Sequence, residues 1–97
     1  MLIKAGVDIS RLERNTRRSL NTVARVFAEY DQELVITSTY EGNHSAASLH
    51  YANQAYDIRL PKEHQALIYA RIQAELPKDF DIVKEGDHIH IEYDPKR

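Results

Sequence analysis

The chain contains no cysteine. Disulfide staples and cysteine-based zinc sites are thereby excluded. It also lacks a positive excess: 13 Lys and Arg stand against 15 Asp and Glu, a formal net charge of −2. That balance lacks the electrostatic footprint of a duplex-DNA binder, so no nucleic-acid partner is expected. No apolar run approaches the roughly 18 residues of a membrane span. The first ten residues hold no apolar stretch of signal-peptide length. These absences lead to the expectation of a chain made in the cytoplasm, with no membrane partner. Internal repeats, low-complexity tracts and Pro/Gly/Ser linkers are missing as well. With 97 residues there is room for one small domain, residues 1–97, and too little for two. What the chain does have is histidine, five in all. A small chain without disulfides often draws rigidity from a metal or a partner.

Ser10-Arg11-Leu12-Glu13 fits a capping box. After it, Leu12, Thr16, Leu20, Val23, Phe27 and Tyr30 recur at spacings of three and four, which predicts a helix over residues 11–29. Residues 33–39 (ELVITST) are rich in β-branched side chains and read as a buried strand. Residues 40–48 carry Gly, Asn and Ser and read as a loop. Residues 55–60 (AYDIRL) read as a short strand. Pro61 suits the first position of a second helix, with Leu67, Ala70 and Ala74 on its apolar stripe, flanked by Ile68, Ile72 and Leu76. That helix should end before Pro77. Residues 80–84 and 87–93 read as a hairpin turning at Glu85-Gly86. Helix, strand, strand, helix and hairpin do not alternate as in a doubly wound sheet. The order implies an α+β fold: a small antiparallel sheet with two main helices on one side.

Four of the five histidines fall in two groups. His44 and His50 lie in or beside the central loop, and His88 and His90 begin the last strand, whereas His64 stands alone on the second helix. Asp57 and Asp87 sit near the two groups. In an extended segment His88 and His90 share one face, and Ile89 and Ile91 point into the core. The strand rise puts the two imidazoles about 7 Å apart. One is therefore expected to bind a metal and the other to stand at its rim. His50 and Asp57 are seven residues apart with the turn-former Asn53 between them, enough chain for both to converge. Taken alone, a His-x-His pair on an edge strand is more often a solvated face than a ligand pair. A lone Asp on a short strand is more often a surface or capping residue, and Glu85-Gly86-Asp87 serves equally well as turn chemistry.

Three separated elements change this balance: Ile36-Thr37-Ser38-Thr39-Tyr40, then Ser48-Leu49-His50 with Ala55-Tyr56-Asp57-Ile58, then Asp87-His88-Ile89-His90-Ile91. Together they resemble the zinc D-alanyl-D-alanine carboxypeptidase family, related to hedgehog-type and lysostaphin-type folds. The resemblance covers roughly residues 35–93 and is closest to compact phage or prophage forms. It implies one zinc ion held by His50, Asp57 and His90. It makes Asp87 the general base and His88 the group that stabilises the oxyanion or orients water. It places Ser48 as a brace of the loop or first ligand and Ser38 in the substrate groove. The chemistry is coherent: two His and one carboxylate leave a coordination position open for water, as in catalytic zinc sites. By strand parity Asp87 and His90 face opposite ways, so the role of Asp87 requires it to sit in the turn, where Gly86 permits irregular backbone.

Two departures stand out. Asn53 occupies a position where the family usually has Gly, and Asn tolerates the left-handed conformation that such a turn needs. Where many members carry a substrate-binding Arg, this chain has Tyr40 and Glu41; His44 and Arg59 are the nearby residues that could replace it. The function implied is a zinc metallopeptidase cutting peptidoglycan stem peptides at bonds involving D-amino acids, as a D-Ala-D-Ala carboxypeptidase or an L-Ala-D-Glu endopeptidase. The alternative is a non-catalytic zinc-binding interaction module of the same fold. A metal-free interaction domain with an incidental His cluster is a third reading. Oligomeric state is left open.

Overall fold

The structure of the chain, a computed structural model, describes residues 1–39 and 53–95. The loop expected over 40–48, with His44 and Ser48, lies outside the described residues, as does His50. The described elements are β1 (Leu2–Ile3), α1 (Arg14–Glu29), β2 (Val35–Ser38), β3 (Ala55–Arg59), α2 (Gln65–Glu75), β4 (Phe80–Lys84) and β5 (His88–Tyr93). The five strands form one sheet in the order β1-β2-β3-β5-β4. The fold is α+β as the pattern implied. One strand modifies the expected antiparallel sheet: β1, which the sequence reading did not foresee, pairs in parallel with β2. Two residues are too few to show a period. The last strand is also not an edge strand, because β5 lies between β3 and β4. No helix among the described residues is long and apolar enough to cross a membrane.

The core occupies one face of the sheet. Ile36, Tyr56, Ile58, Ile89 and Ile91 are fully buried there together with Val23, Val26 and Phe27 of α1 and Ile68 and Ile72 of α2. Ile58 and Ile89 are direct cross-strand partners. Their alternation with Asp57, Arg59, His88 and His90 sends those polar side chains to the opposite face.

Both helices start later than the sequence suggested. Glu13, not Ser10, caps α1: its carboxylate accepts from the backbone N–H of Asn15 at 2.8 Å and of Thr16 at 3.3 Å. The Ser10 N–H instead donates to Asp8 Oδ1 at 2.8 Å, and Leu12 N–H closes a turn on Ile9 at 3.2 Å. Glu13 N–H donates to the carbonyl of Asn53 at 2.7 Å, which ties the start of α1 to the entry of β3. The N-cap of α2 is His64, not a residue before Pro61. The left-handed backbone of His64, φ 61°, breaks any helical run from Pro61. Its ring lies tilted against Tyr30 with centroids 5.6 Å apart. The buried stripe of α2 is Ile68, Ile72 and Leu76, whereas Leu67 is 55% exposed. These larger aliphatic side chains fill the space over the sheet, while the small Ala70 and Ala74 stay exposed. Leu76 is extended and precedes Pro77, which ends the helix as expected. The hairpin turns one residue later than Glu85-Gly86: Glu85 N–H bonds the His88 carbonyl at 2.8 Å, leaving Gly86-Asp87 at its tip.

Candidate active site

Register assembles the site. Asp57 on β3 is the cross-strand partner of Ser38 on β2 and of His90 on β5. A bulge in β2 makes this possible. Ile36 pairs with Ile58, yet Ser38 rather than Thr37 falls opposite Asp57. The extra residue re-aims the strand at this point, a common use of bulges beside functional sites. Thr37 Oγ1 donates to the Asp57 carbonyl at 3.4 Å. Ser38 is thus level with Asp57 and His90, although its hydroxyl bonds neither.

Asp57 Oδ1 lies 2.8 Å from His90 Nδ1 and 3.9 Å from His88 Nε2. His88 Nδ1 is 2.7 Å from Asp87 Oδ1, and His90 Nε2 is 2.7 Å from Glu92 Oε1. The result is a line of alternating acids and imidazoles, Asp87–His88–Asp57–His90–Glu92, on the face of the sheet away from the two helices. Asp87 sits in the turn, before β5 begins, and so reaches the same face as the two His. The parity difficulty disappears there. It is the most open member, 93% exposed, while Asp57 is 15% and His90 20% exposed.

These contacts set the charges. The hydrogen bond to His88, helped by the imidazole's charge, holds Asp87 below the ordinary carboxylate pKa. His90 is pushed up: the hydrogen bond to Asp57 raises it, burial opposes, and Glu92 adds to the rise. The proton on His90 is therefore stabilised by a carboxylate at each ring nitrogen.

The donor set suits zinc, which takes imidazole nitrogen and carboxylate oxygen. Tetrahedral bonds of about 2.0–2.1 Å place two ligand atoms about 3.3 Å apart. The 2.8 Å separation of Asp57 Oδ1 and His90 Nδ1 needs only a slight opening to match. Glu92 on the other ring nitrogen matches the carboxylate that commonly orients a ligating His.

Of the residues singled out from the sequence, Asp57, Asp87, His88 and His90 are brought together and Ser38 is brought level with them. His50 and Ser48 lie outside the described residues. His64 is remote, on α2. Glu92 was missed, although the alternation His88, His90, Glu92 carried the signal. Asp81, its cross-strand partner, and Asp94 were missed too; the three carboxylates lie within 4.8 Å of one another. Asn53 has φ 61°, the left-handed backbone expected of it.

Asp57 and His90 in contact, with His88 and Asp87 beside them on one face of the sheet, offer the nitrogen and oxygen donors that a metal-dependent hydrolase uses. Residues 2–92 match the family described as Peptidase M15, and the chain belongs to that family. Its members are zinc-dependent metallopeptidases. No curated protein matches the chain significantly.

Proposed function

We propose that the protein is a zinc metallopeptidase that hydrolyses peptidoglycan stem peptides at bonds involving D-amino acids. The observation that carries this reading is the Asp57–His90 pair at 2.8 Å with His88 and Asp87 beside it, in a chain of the M15 family. In this reading His50, Asp57 and His90 hold one zinc ion. When bound, zinc supplies Lewis acidity: it lowers the pKa of water and polarises the scissile carbonyl. Asp87, kept ionised by His88, accepts the proton of the attacking water and returns it to the leaving amine. His88 has its Nδ1 tied to Asp87 and presents Nε2 to the negative charge developing on the carbonyl oxygen. Ser38 borders the groove at the level of Asp57, and Ser48 braces the first ligand. Glu92 orients His90.

The test is digestion of purified peptidoglycan and defined muropeptides by the zinc-loaded protein, read by mass spectrometry. New amino groups are expected. Release of terminal D-alanine identifies a carboxypeptidase, and internal cleavage at L-Ala-D-Glu an endopeptidase. Bound zinc without cleavage of any wall type would replace this reading by the non-catalytic module.

A further inference from the structure

A cavity of about 280 Å³ lies between the first turns of α1 and the end of the β4–β5 ladder. It is on the helix side of the sheet. Tyr93, one of its lining residues, follows Glu92 on β5 and packs against the core, while Glu92 stays with the acid–imidazole line on the other face. None of the described lining residues belongs to that line.

The walls are held by packing and by backbone bonds. Phe80 and Tyr93 form an aromatic floor with ring centroids 5.2 Å apart. Ser19 of the α1 wall is buried; its hydroxyl donates to the Thr16 carbonyl and lies 2.6 Å from Tyr56 Oη. Asp79 comes from the α2–β4 turn, which Phe80 N–H closes on the Pro77 carbonyl at 3.0 Å. Asp94 N–H donates to the Asp79 carbonyl at 2.8 Å and ties that turn to the end of β5.

Two opposite charges border this cavity without meeting. Arg18 lines it from α1 and Asp79 from the turn, and neither side chain makes a hydrogen bond or ion pair among the described residues. Arg25 and Arg71 behave differently, both being paired with Glu29 and Glu75 between the helices. The cavity therefore separates a guanidinium from a carboxylate, with an aromatic floor beside them.

We propose that this cavity binds a small zwitterion, a free α-amino acid or a dipeptide. Its carboxylate lies on Arg18, its ammonium group on Asp79 and its side chain on Phe80 and Tyr93. A planar guanidinium offers two parallel donors matched to a carboxylate, and an aspartate accepts from an ammonium group. A ligand with only one charge would leave the other protein charge unpaired beside apolar walls, which is costly. The volume sits just below the usual range of small-molecule pockets, which begins near about 300 Å³, and limits the occupant to this size. The site is separate from the acid–imidazole line and does not depend on the peptidase reading.

The test is a titration of the full chain followed by backbone amide NMR shifts. The probes are phenylalanine, phenylalaninamide, N-acetylphenylalanine and the dipeptide alanylphenylalanine. At least one of the two zwitterions should bind wild type about tenfold or more tighter than the amide and the N-acetyl form, with shifts centred on Arg18, Ser19, Asp79 and Tyr93. The tighter of the amino acid and the dipeptide identifies the source. Arg18→Gln should weaken that zwitterion to the level of the amide, and Asp79→Asn should weaken it to the level of the N-acetyl form, both with amide dispersion unchanged. Equal binding of all four probes, no binding at millimolar concentration, or wild-type affinity surviving in either variant would overturn the proposal.

Discussion

Asp57 and His90 are 33 residues apart in the chain and direct partners across β3 and β5, with Oδ1 and Nδ1 2.8 Å apart. Neither strand holds the pair by itself. Burial of Ile58 and Ile89 against the helices fixes the register, since a slip of one residue would turn every polar side chain of these strands into the core.

Zinc binding should divide the residues of this line. Glu92→Gln removes an outer partner of His90 and should weaken zinc by about 10–100-fold. Asp57→Ala and His90→Ala each remove a proposed ligand and should cost more than that. Competition with a chromophoric chelator measures all three. A Glu92→Gln loss as large as that of Asp57→Ala would require Glu92 itself to be a ligand.

Asp87→Ala should retain zinc and lose turnover. A positioned acid–base group contributes about 10²–10⁴-fold, so kcat on a cleaved muropeptide should fall by that order with metal content unchanged. Normal turnover would remove Asp87 from the mechanism.

The core that sets the register can be tested by stability. Ile89 is fully buried and packs beside Ile58. Ile89→Ala should destabilise the fold by about 2–5 kcal/mol, read as a lower urea midpoint at unchanged slope. In a domain this small, zinc loading should recover part of the loss, because a ligand of the folded state alone stabilises it by mass action.

Acid should weaken the tie between the helices. Hydrogen bonds from Arg25 and Arg71 hold the Glu75 pKa below its ordinary value. A carboxylate depressed in the folded state contributes stability that is complete above its unfolded pKa of about 4.3 and fades as pH falls through the folded value. The melting temperature of Glu75→Gln should therefore lie below that of wild type at pH 7. The gap should close as pH drops below about 4, and partly also in high salt. A constant gap across this range would mean that packing, not charge, carries the effect.

Much of this arrangement was legible beforehand where side-chain chemistry repeats along the chain. The alternation of His88 and His90 with Ile89 and Ile91 assigned their faces correctly, and Pro77 marked the end of α2. Helix starts were less legible. Glu13 served as cap because its carboxylate could reach two backbone N–H groups while its own N–H met Asn53, a residue 40 positions away. Likewise His64 took the left-handed backbone next to Tyr30, a contact that no local pattern carries. Within β5, Glu92 followed the period of the two His, yet its role depends on a ring nitrogen that only the folded strand brings within 2.7 Å.

By itself the sequence determined the class of fold, the absence of disulfide chemistry, the polar face of the last strand and the family pattern, because each is written in residue type and spacing. Tertiary structure alone decided that β5 is an interior strand, that a bulge brings Ser38 rather than Thr37 level with Asp57, and that Arg59 pairs with His88 across β3 and β5. Those relations arise from strand pairing between distant segments, and pairing is chosen by the burial of a shared core rather than by any residue's immediate neighbours.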